Sequence, residues 1–291
     1  MSVDANAHLP LRLRLRGAGR RHPWRAPGLL LPLAFVLLLA AAMGAPQWFT
    51  ARAPDAIDTD AILQPPGSGH WFGTDELGRD LFCRVVYGTS RSLTIGVGAM
   101  AIACLGGIAL GTAASLAPSI MRGVLVRLID ILLAFPELLL ALLVIAVLGR
   151  GPLNTLLAVG LSHIAGYARL VRSQVLRVKR LGYVEHAVTL GEPRWIVIVR
   201  HIVPNSIRPL MILATIGVGT SVLTASSLSF LGLGVVPPEA EWGALLAGGR
   251  NFLDIAPWIS LLPATVVASS VISITLLGRR LQVLLADGDV T

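Results

Sequence analysis

Apolar residues in this 291-residue chain gather into long runs separated by short polar breaks. A membrane-crossing helix needs about 20 mostly apolar residues. Six runs reach that length: roughly Pro27 to Trp48, Ser92 to Leu116, Val124 to Leu148, Leu153 to Val171, Pro209 to Phe230 and Pro257 to Leu277. The pattern predicts an all-α integral membrane protein with six transmembrane helices. The fourth run is the weakest, because His163 and several small residues interrupt it. The first run follows an arginine-rich stretch, as a signal peptide would. It is long enough to span and more spans follow, so an uncleaved first helix is expected, with cleavage after Ala45 as the alternative.

The polar segments between the runs are unequal. Residues 49–91 form the largest, broken by Pro54, Pro65, Pro66, Gly67 and Gly69, with one short helix expected near Glu76 to Tyr87. Residues 182–205, between the fourth and fifth runs, read as an elbow of two short helices. Val184, Ala187 and Val188 share one helical face, and Gly191 is a helix stop. Pro193 suits the first turn of a second helix, with Glu192 near its positive end. Trp195, Val199 and Ile202 repeat at helical spacing, and Pro204-Asn205 is expected to end that helix. Two readings fit: an amphipathic hairpin on the membrane surface, or a knob that fills a groove on another protein. The chain thus divides into a basic tail (1–26), a first transmembrane helix (27–48), an extracytoplasmic loop (49–91), a five-helix core (92–281) containing the elbow, and a short tail (282–291).

Charge orients this arrangement. Only 14% of residues are charged, against about 25% in soluble domains. Alternate polar segments are basic: six arginines from Arg12 to Arg25, then Arg122 and Arg127, then a cluster from Arg169 to Arg208, then Arg279 and Arg280. The opposite segments hold Asp55, Asp58, Asp60, Asp75, Glu76, Asp80, Glu239, Glu241 and Asp254. The basic side is expected to be cytoplasmic, with both termini inside. This placement accounts for the net charge of +8 without nucleic acid.

Candidate chemistry is sparse. Lys179, the one lysine, follows no glycine-rich phosphate loop, so the chain is not expected to hydrolyse ATP. Cys83 and Cys104 do not read as a metal pair or a disulfide framework. Asp130 lies near the cytoplasmic end of the third run, beside Arg127 or solvent. Glu137 lies deeper, where a charge costs roughly 2.5–3.5 kcal/mol by insertion scales. It faces an aqueous pathway and a substrate amino terminus, or else a buried partner. His163 lines the same pathway or packs as a satisfied core residue. Ser226 and Ser229 contact substrate or bond back to their own helix. Asp75, Arg79 and Asp80 form a local ionic cluster that shapes the external loop or helps dock a partner. Gly107 and Gly111 form a small-xxx-small pair that close helix packing explains.

The segment Glu185-His186-Ala187, Gly191 and His201-Ile202-Val203-Pro204-Asn205 resembles the EAA loop of ABC-importer permeases. Phe72-Gly73-Thr74-Asp75-Glu76-Leu77-Gly78-Arg79-Asp80 resembles the external motif of the dipeptide/oligopeptide/nickel branch. So do Tyr87-Gly88 with Arg91-Ser92-Leu93, Asp130 with Phe135-Pro136, Tyr167 to Arg172, Ser227 to Gly234, Pro237-Pro238 and Trp242-Gly243. The resemblance covers about His70 to Leu281 and is closest to the C-type oligopeptide subunit. It implies a type I ABC-importer permease fold in a bacterial inner membrane. It implies ATPase coupling through Tyr183, Glu185, His186, Ala187, Gly191, Arg200, His201, Pro204 and Asn205. The implied partners are a second homologous permease, two ABC ATPases or one fused ATPase, an extracytoplasmic binding protein that docks near Asp75, Arg79 and Asp80, lipid, and a peptide substrate. ATP-Mg would sit on the ATPases, and this chain would bind no cofactor or metal. A nickel or small-solute importer is the alternative within the class, and a stand-alone channel or secondary carrier the alternative outside it. His186 departs from the family triplet, where a small residue is usual. Gly278-Arg279-Arg280 lacks the acidic residue that relatives often carry there.

Overall fold

The computed structural model describes residues 29–288; the arginine-rich tail and the start of the first apolar run lie outside them. The described residues fold into helices joined by turns. Helix α1 (Leu30–Gly44) is apolar, but its 15 residues fall short of the membrane-crossing length, and a short 3-10 turn (Pro46–Trp48) follows it. Helix α2 (Leu81–Leu116) runs unbroken for 36 residues. At 1.5 Å per residue it is about 54 Å long, well beyond a hydrocarbon core of about 30 Å. The separate short helix expected at Glu76 to Tyr87 is therefore absent. The Asp80 side chain accepts from Cys83 N at 2.9 Å and starts α2 at Leu81, an N-cap that fixes where the helix begins.

The third apolar run is two helices. Helices α3 (Ser119–Ala134) and α4 (Glu137–Leu148) meet at a 96° bend, so Val124 to Leu148 is not one straight span. Pro136 has no N–H to continue the ladder, and a residue before proline is pushed towards extended backbone. Phe135 has φ −88 and ψ 138, as that rule requires. Helix α5 (Pro152–Val178) is 27 residues long and carries Arg169, Arg172 and Arg177 in its second half.

The elbow holds α6 (Gly182–Thr189) and a single helical turn, α7 (Arg194–Ile196). From α7 the chain passes through a π-helical segment (Val197–Ile202) straight into α8 (Val203–Phe230). Pro204 does not end a helix here. In the wide π turn Val203 N–H bonds to Ile198 O, and Pro204 falls in the first turn of α8, where a missing donor costs little. Asn205 Nδ2 and Ser206 Oγ donate to the His201 and Ile202 carbonyls at 2.6 and 2.7 Å. Helix α9 (Trp242–Gly249) is short, and α10 (Trp258–Gly288) closes the bundle.

Three helical stretches among the described residues are long and apolar enough to cross a membrane: α2, the continuous Arg194–Phe230 rod and α10. The α3–α4 pair adds a fourth if it is taken as one bent span. The core seam lies between α2 and α5, where small residues let the backbones approach. A Cβ on Gly107 would stand 2.5 Å from Tyr167 Cβ, and one on Gly111 would stand 2.7 Å from Val171 Cβ. Gly111→Val is expected to overpack this seam by about 1–3 kcal/mol. A lower melting temperature of the purified chain in detergent checks it.

Candidate functional site

The elbow is pinned from below and open above. Val184 and Ala187 of α6 are buried in a cluster with Val171, Val175 and Val178 of α5 and with Val197, Ile202 and Leu210. Val188, expected on that buried face, points out instead and is 58% exposed, because a helix of eight residues offers only one narrow stripe to α5. Leu190 is 84% exposed, Trp195 67% and Val199 62%. Four large apolar side chains thus stand uncovered among the charges of the most basic segment, the arrangement that marks a contact surface. Beside them opens a cleft of about 870 Å³, lined by Pro118 and Ser119 of the α2–α3 turn and by Glu185, Val188, Glu192 and Arg194.

The elbow's turn is held by a few specific bonds. Gly191 has φ +83, a left-handed conformation that closes α6, and its N–H donates to Val188 O at 3.1 Å. Glu192 N donates to Ala187 O at 3.1 Å, and Glu192 Oε2 lies 3.0 Å from His201 Nε2. The Tyr183 ring stacks obliquely on His201, with centroids 6.3 Å apart. The Glu192–His201 pair thus ties the two halves of the elbow together. Sequence reading placed Glu192 at a helix end and did not join it to His201. Glu185, His186 and Arg200 are exposed and Ala187 is buried, so within the triplet His186 occupies an outward position that tolerates a polar side chain.

A second, smaller cavity lies midway along the bundle. It measures about 320 Å³ and is lined by Glu137, His163, Tyr167 and Thr220, among others. His163 Nε2 is 3.6 Å from Glu137 Oε2, so two of the expected pathway residues do meet. Ser226 and Ser229 do not join them. Both are buried where α8 packs on α9, against Gly243, and their hydroxyls have no partner. Asp130 pairs with Arg169 of α5 at 2.8 Å, not with Arg127 or solvent alone.

At the acidic end, the expected ionic cluster is spent inside the loop. Asp75 accepts from Leu77 N and Arg79 N at 2.9 and 3.0 Å and pairs with Arg79 Nε at 2.7 Å, and both side chains are buried. Asp80 pairs with Arg52 and His70 at 2.6 and 2.8 Å. A third set of contacts joins two of the resemblance motifs, Arg91-Ser92-Leu93 and Trp242-Gly243. Glu241 is buried and caps α9 through Gly243 N and Ala244 N, both at 2.9 Å, while Ser92 Oγ donates to it at 3.1 Å. Trp242 Nε1 donates to Val85 O at 3.0 Å. The α8–α9 connection is thereby locked to the N-terminal half of α2.

Comparison with known proteins agrees with this architecture. Residues 105–288 match the family described as the binding-protein-dependent transport system inner membrane component. The chain is 37% identical over 96% of its length to the glutathione transport system permease protein GsiD of Pectobacterium atrosepticum, covering 91% of it. It is 36% identical to the probable D,D-dipeptide transport system permease protein DdpC of Escherichia coli, over 98% of this chain and 96% of that one. Among solved structures, inward-facing MetNI, a methionine ABC transporter, aligns with 68% of this chain and 94% of its own at a TM-score of 0.57. An amino acid ABC transporter with histidines aligns with 69% and 92% at 0.54. Those identities, 14% and 17%, carry the fold alone. The elbow at one end, the locked loop at the other and these matches lead to one conclusion: the chain belongs to the family of inner membrane components of binding-protein-dependent transport systems, and it is a permease of the ABC-importer class, not an ATPase.

Proposed function

We propose that this chain forms half of the translocation pathway for short peptides in an ATP-driven importer. The relatives named for glutathione and D,D-dipeptide transport support the substrate class. The other half is a second, homologous permease. Two ATPase subunits, or one fused ATPase, bind ATP-Mg on the cytoplasmic side, and a binding protein delivers peptide to the acidic side. The chain crosses the inner membrane six times with both termini in the cytoplasm; the alternation of basic and acidic segments supports that orientation.

The observation that carries this reading is the elbow's uncovered apolar rim above the 870 Å³ cleft. The ATPase seats there, against Tyr183, Glu185, His186, Gly191 and Arg200, with Ala187, His201, Pro204 and Asn205 holding the seat in shape. Coupling needs a rigid link between nucleotide state and helix tilt. The Arg194–Phe230 rod supplies one: it is 37 residues long, starts in the elbow and ends against α9. When ATP draws the ATPases together, the rods rock and the pathway opens outward; hydrolysis resets it. The binding protein docks on the loop that Asp75, Arg79 and Asp80 hold rigid. Ser226 and Ser229, at the acidic end of the rod, sit where its tilt would loosen their packing and admit substrate.

Isolation of the tagged chain from native membranes tests this. The expected result is co-isolation of a second permease and two ATPase domains, with dipeptide uptake into proteoliposomes that requires both ATP and a binding protein. A lone oligomer that carries solute without ATP would make it a channel or secondary carrier.

A further inference from the structure

His163 Nδ1 lies 2.7 Å from Val159 O, a group that only accepts, so Nδ1 carries a proton and donates it. The opposite nitrogen, Nε2, is buried without a hydrogen-bond partner in a side chain only 6% exposed. It points across the 320 Å³ cavity wall at Glu137 Oε2, 3.6 Å away, which is beyond hydrogen-bond length. In the neutral ring Nε2 is an acceptor. Two acceptors therefore converge on one spot, and neither satisfies the other.

Glu137 faces Nε2 from a side chain that is 57% exposed. It opens the 12-residue helix α4, whose N-terminal dipole favours negative charge. Among the described residues no arginine or lysine lies within ion-pairing distance of it. The other acid on this broken segment, Asp130, is already neutralised by Arg169 at 2.8 Å. One acid is thus paired and the other left without a cation, facing His163 of α5. A compact cation with several N–H donors satisfies both acceptors and offsets the carboxylate. A primary ammonium gives one N–H to the carboxylate and another to the imidazole. A cavity of 320 Å³ sits at the small end of ligand sites, about 300–1,000 Å³. It fits a chain end and not a whole peptide.

We propose that Glu137 and His163 form a subsite for a primary ammonium, the free amino terminus of the transported peptide. The proposal rests on the peptide reading above. Trialanine and N-acetyl-trialanine, each at a concentration that saturates the binding protein, are compared for uptake by the full importer in proteoliposomes. The expected result is that wild type carries trialanine about tenfold faster, the scale of one charge-assisted hydrogen bond. Glu137→Gln loses that preference and Glu137→Asp keeps it. Equal wild-type uptake of the two peptides overturns the subsite while leaving peptide import standing. So does a Glu137→Gln importer that keeps the preference. A wild-type importer that carries neither peptide overturns the reading beneath it. The wild-type comparison needs no variant, so it decides the question even where a substitution blocks assembly.

Discussion

Gly191→Pro is expected to leave the importer assembled and still hydrolysing ATP but to reduce peptide uptake at least about tenfold. Proline fixes φ near −65°, and Gly191 has φ +83. The substitution also removes the N–H that bonds to Val188 O at 3.1 Å. The turn between α6 and α7 must then rebuild, with a strain of about 3 kcal/mol or more. The damage is confined to the turn, because Val184 and Ala187 still anchor α6 to α5. The elbow keeps its footing and loses the angle at which it presents Leu190 and Trp195. Gly191→Ala makes a graded control. A Cβ there meets nothing within 4 Å, so only the left-handed backbone is penalised, by about 1–2 kcal/mol. Its uptake is expected to lie between wild type and the proline variant. Parallel assays of ATP hydrolysis and uptake measure the coupling ratio, and an unchanged ratio in the proline variant would remove the elbow from the mechanism.

The second large effect concerns the mid-bundle cavity. Gly166 lines it on α5, and a Cβ there meets nothing within 4 Å. Gly166→Leu therefore has open space at its Cβ on the cavity wall, and it replaces a poor helix former that costs about 1 kcal/mol in a helix interior. The folded chain is expected to be at least as stable as wild type in a thermal melt. Uptake is expected to fall about tenfold or more because the leucine occupies the space open to substrate. Stability and transport moving in opposite directions is the signature of a filled pathway. Full uptake by a stable Gly166→Leu importer would show that substrate passes elsewhere. Gly217 offers no such test: a Cβ there would strike the Tyr167 hydroxyl and Met100, so loss of transport would follow from misfolding alone.

Much of the fold was legible because long apolar runs have one physical use. The runs at Ser92–Leu116 and Pro209–Phe230 lie inside continuous helices, and Pro257–Leu277 does so from Trp258 onward. Helix ends were harder, and proline was the main reason. Pro136 breaks a helix, Pro204 sits harmlessly in a first turn, and Pro209 and Pro263 lie inside helices. The residue is the same in each case. What differs is the register of the bonds around it, and the π-helical segment that makes Pro204 acceptable has no one-residue marker. The elbow was legible because Val184 and Ala187 had to find an apolar neighbour, although the outward turn of Val188 depended on the width of the α5 surface. Pairs across the bundle, such as Asp130 with Arg169 and Glu192 with His201, join charged residues whose partners sequence distance does not reveal. For Glu137 and His163 the sequence pointed to a shared pathway, and the structure adds the 3.6 Å approach at the bend by Pro136.

What covers the elbow decides how the importer couples. A photo-crosslinking amino acid at Leu190, 84% exposed at the rim, reads this directly in the assembled importer in native membranes. The predicted product joins this chain to an ATPase subunit, and its yield changes between the nucleotide-free and ATP-trapped states. A product containing only lipid, with the ATPase still bound to the complex, would place the elbow flat on the membrane and contradict the coupling mechanism.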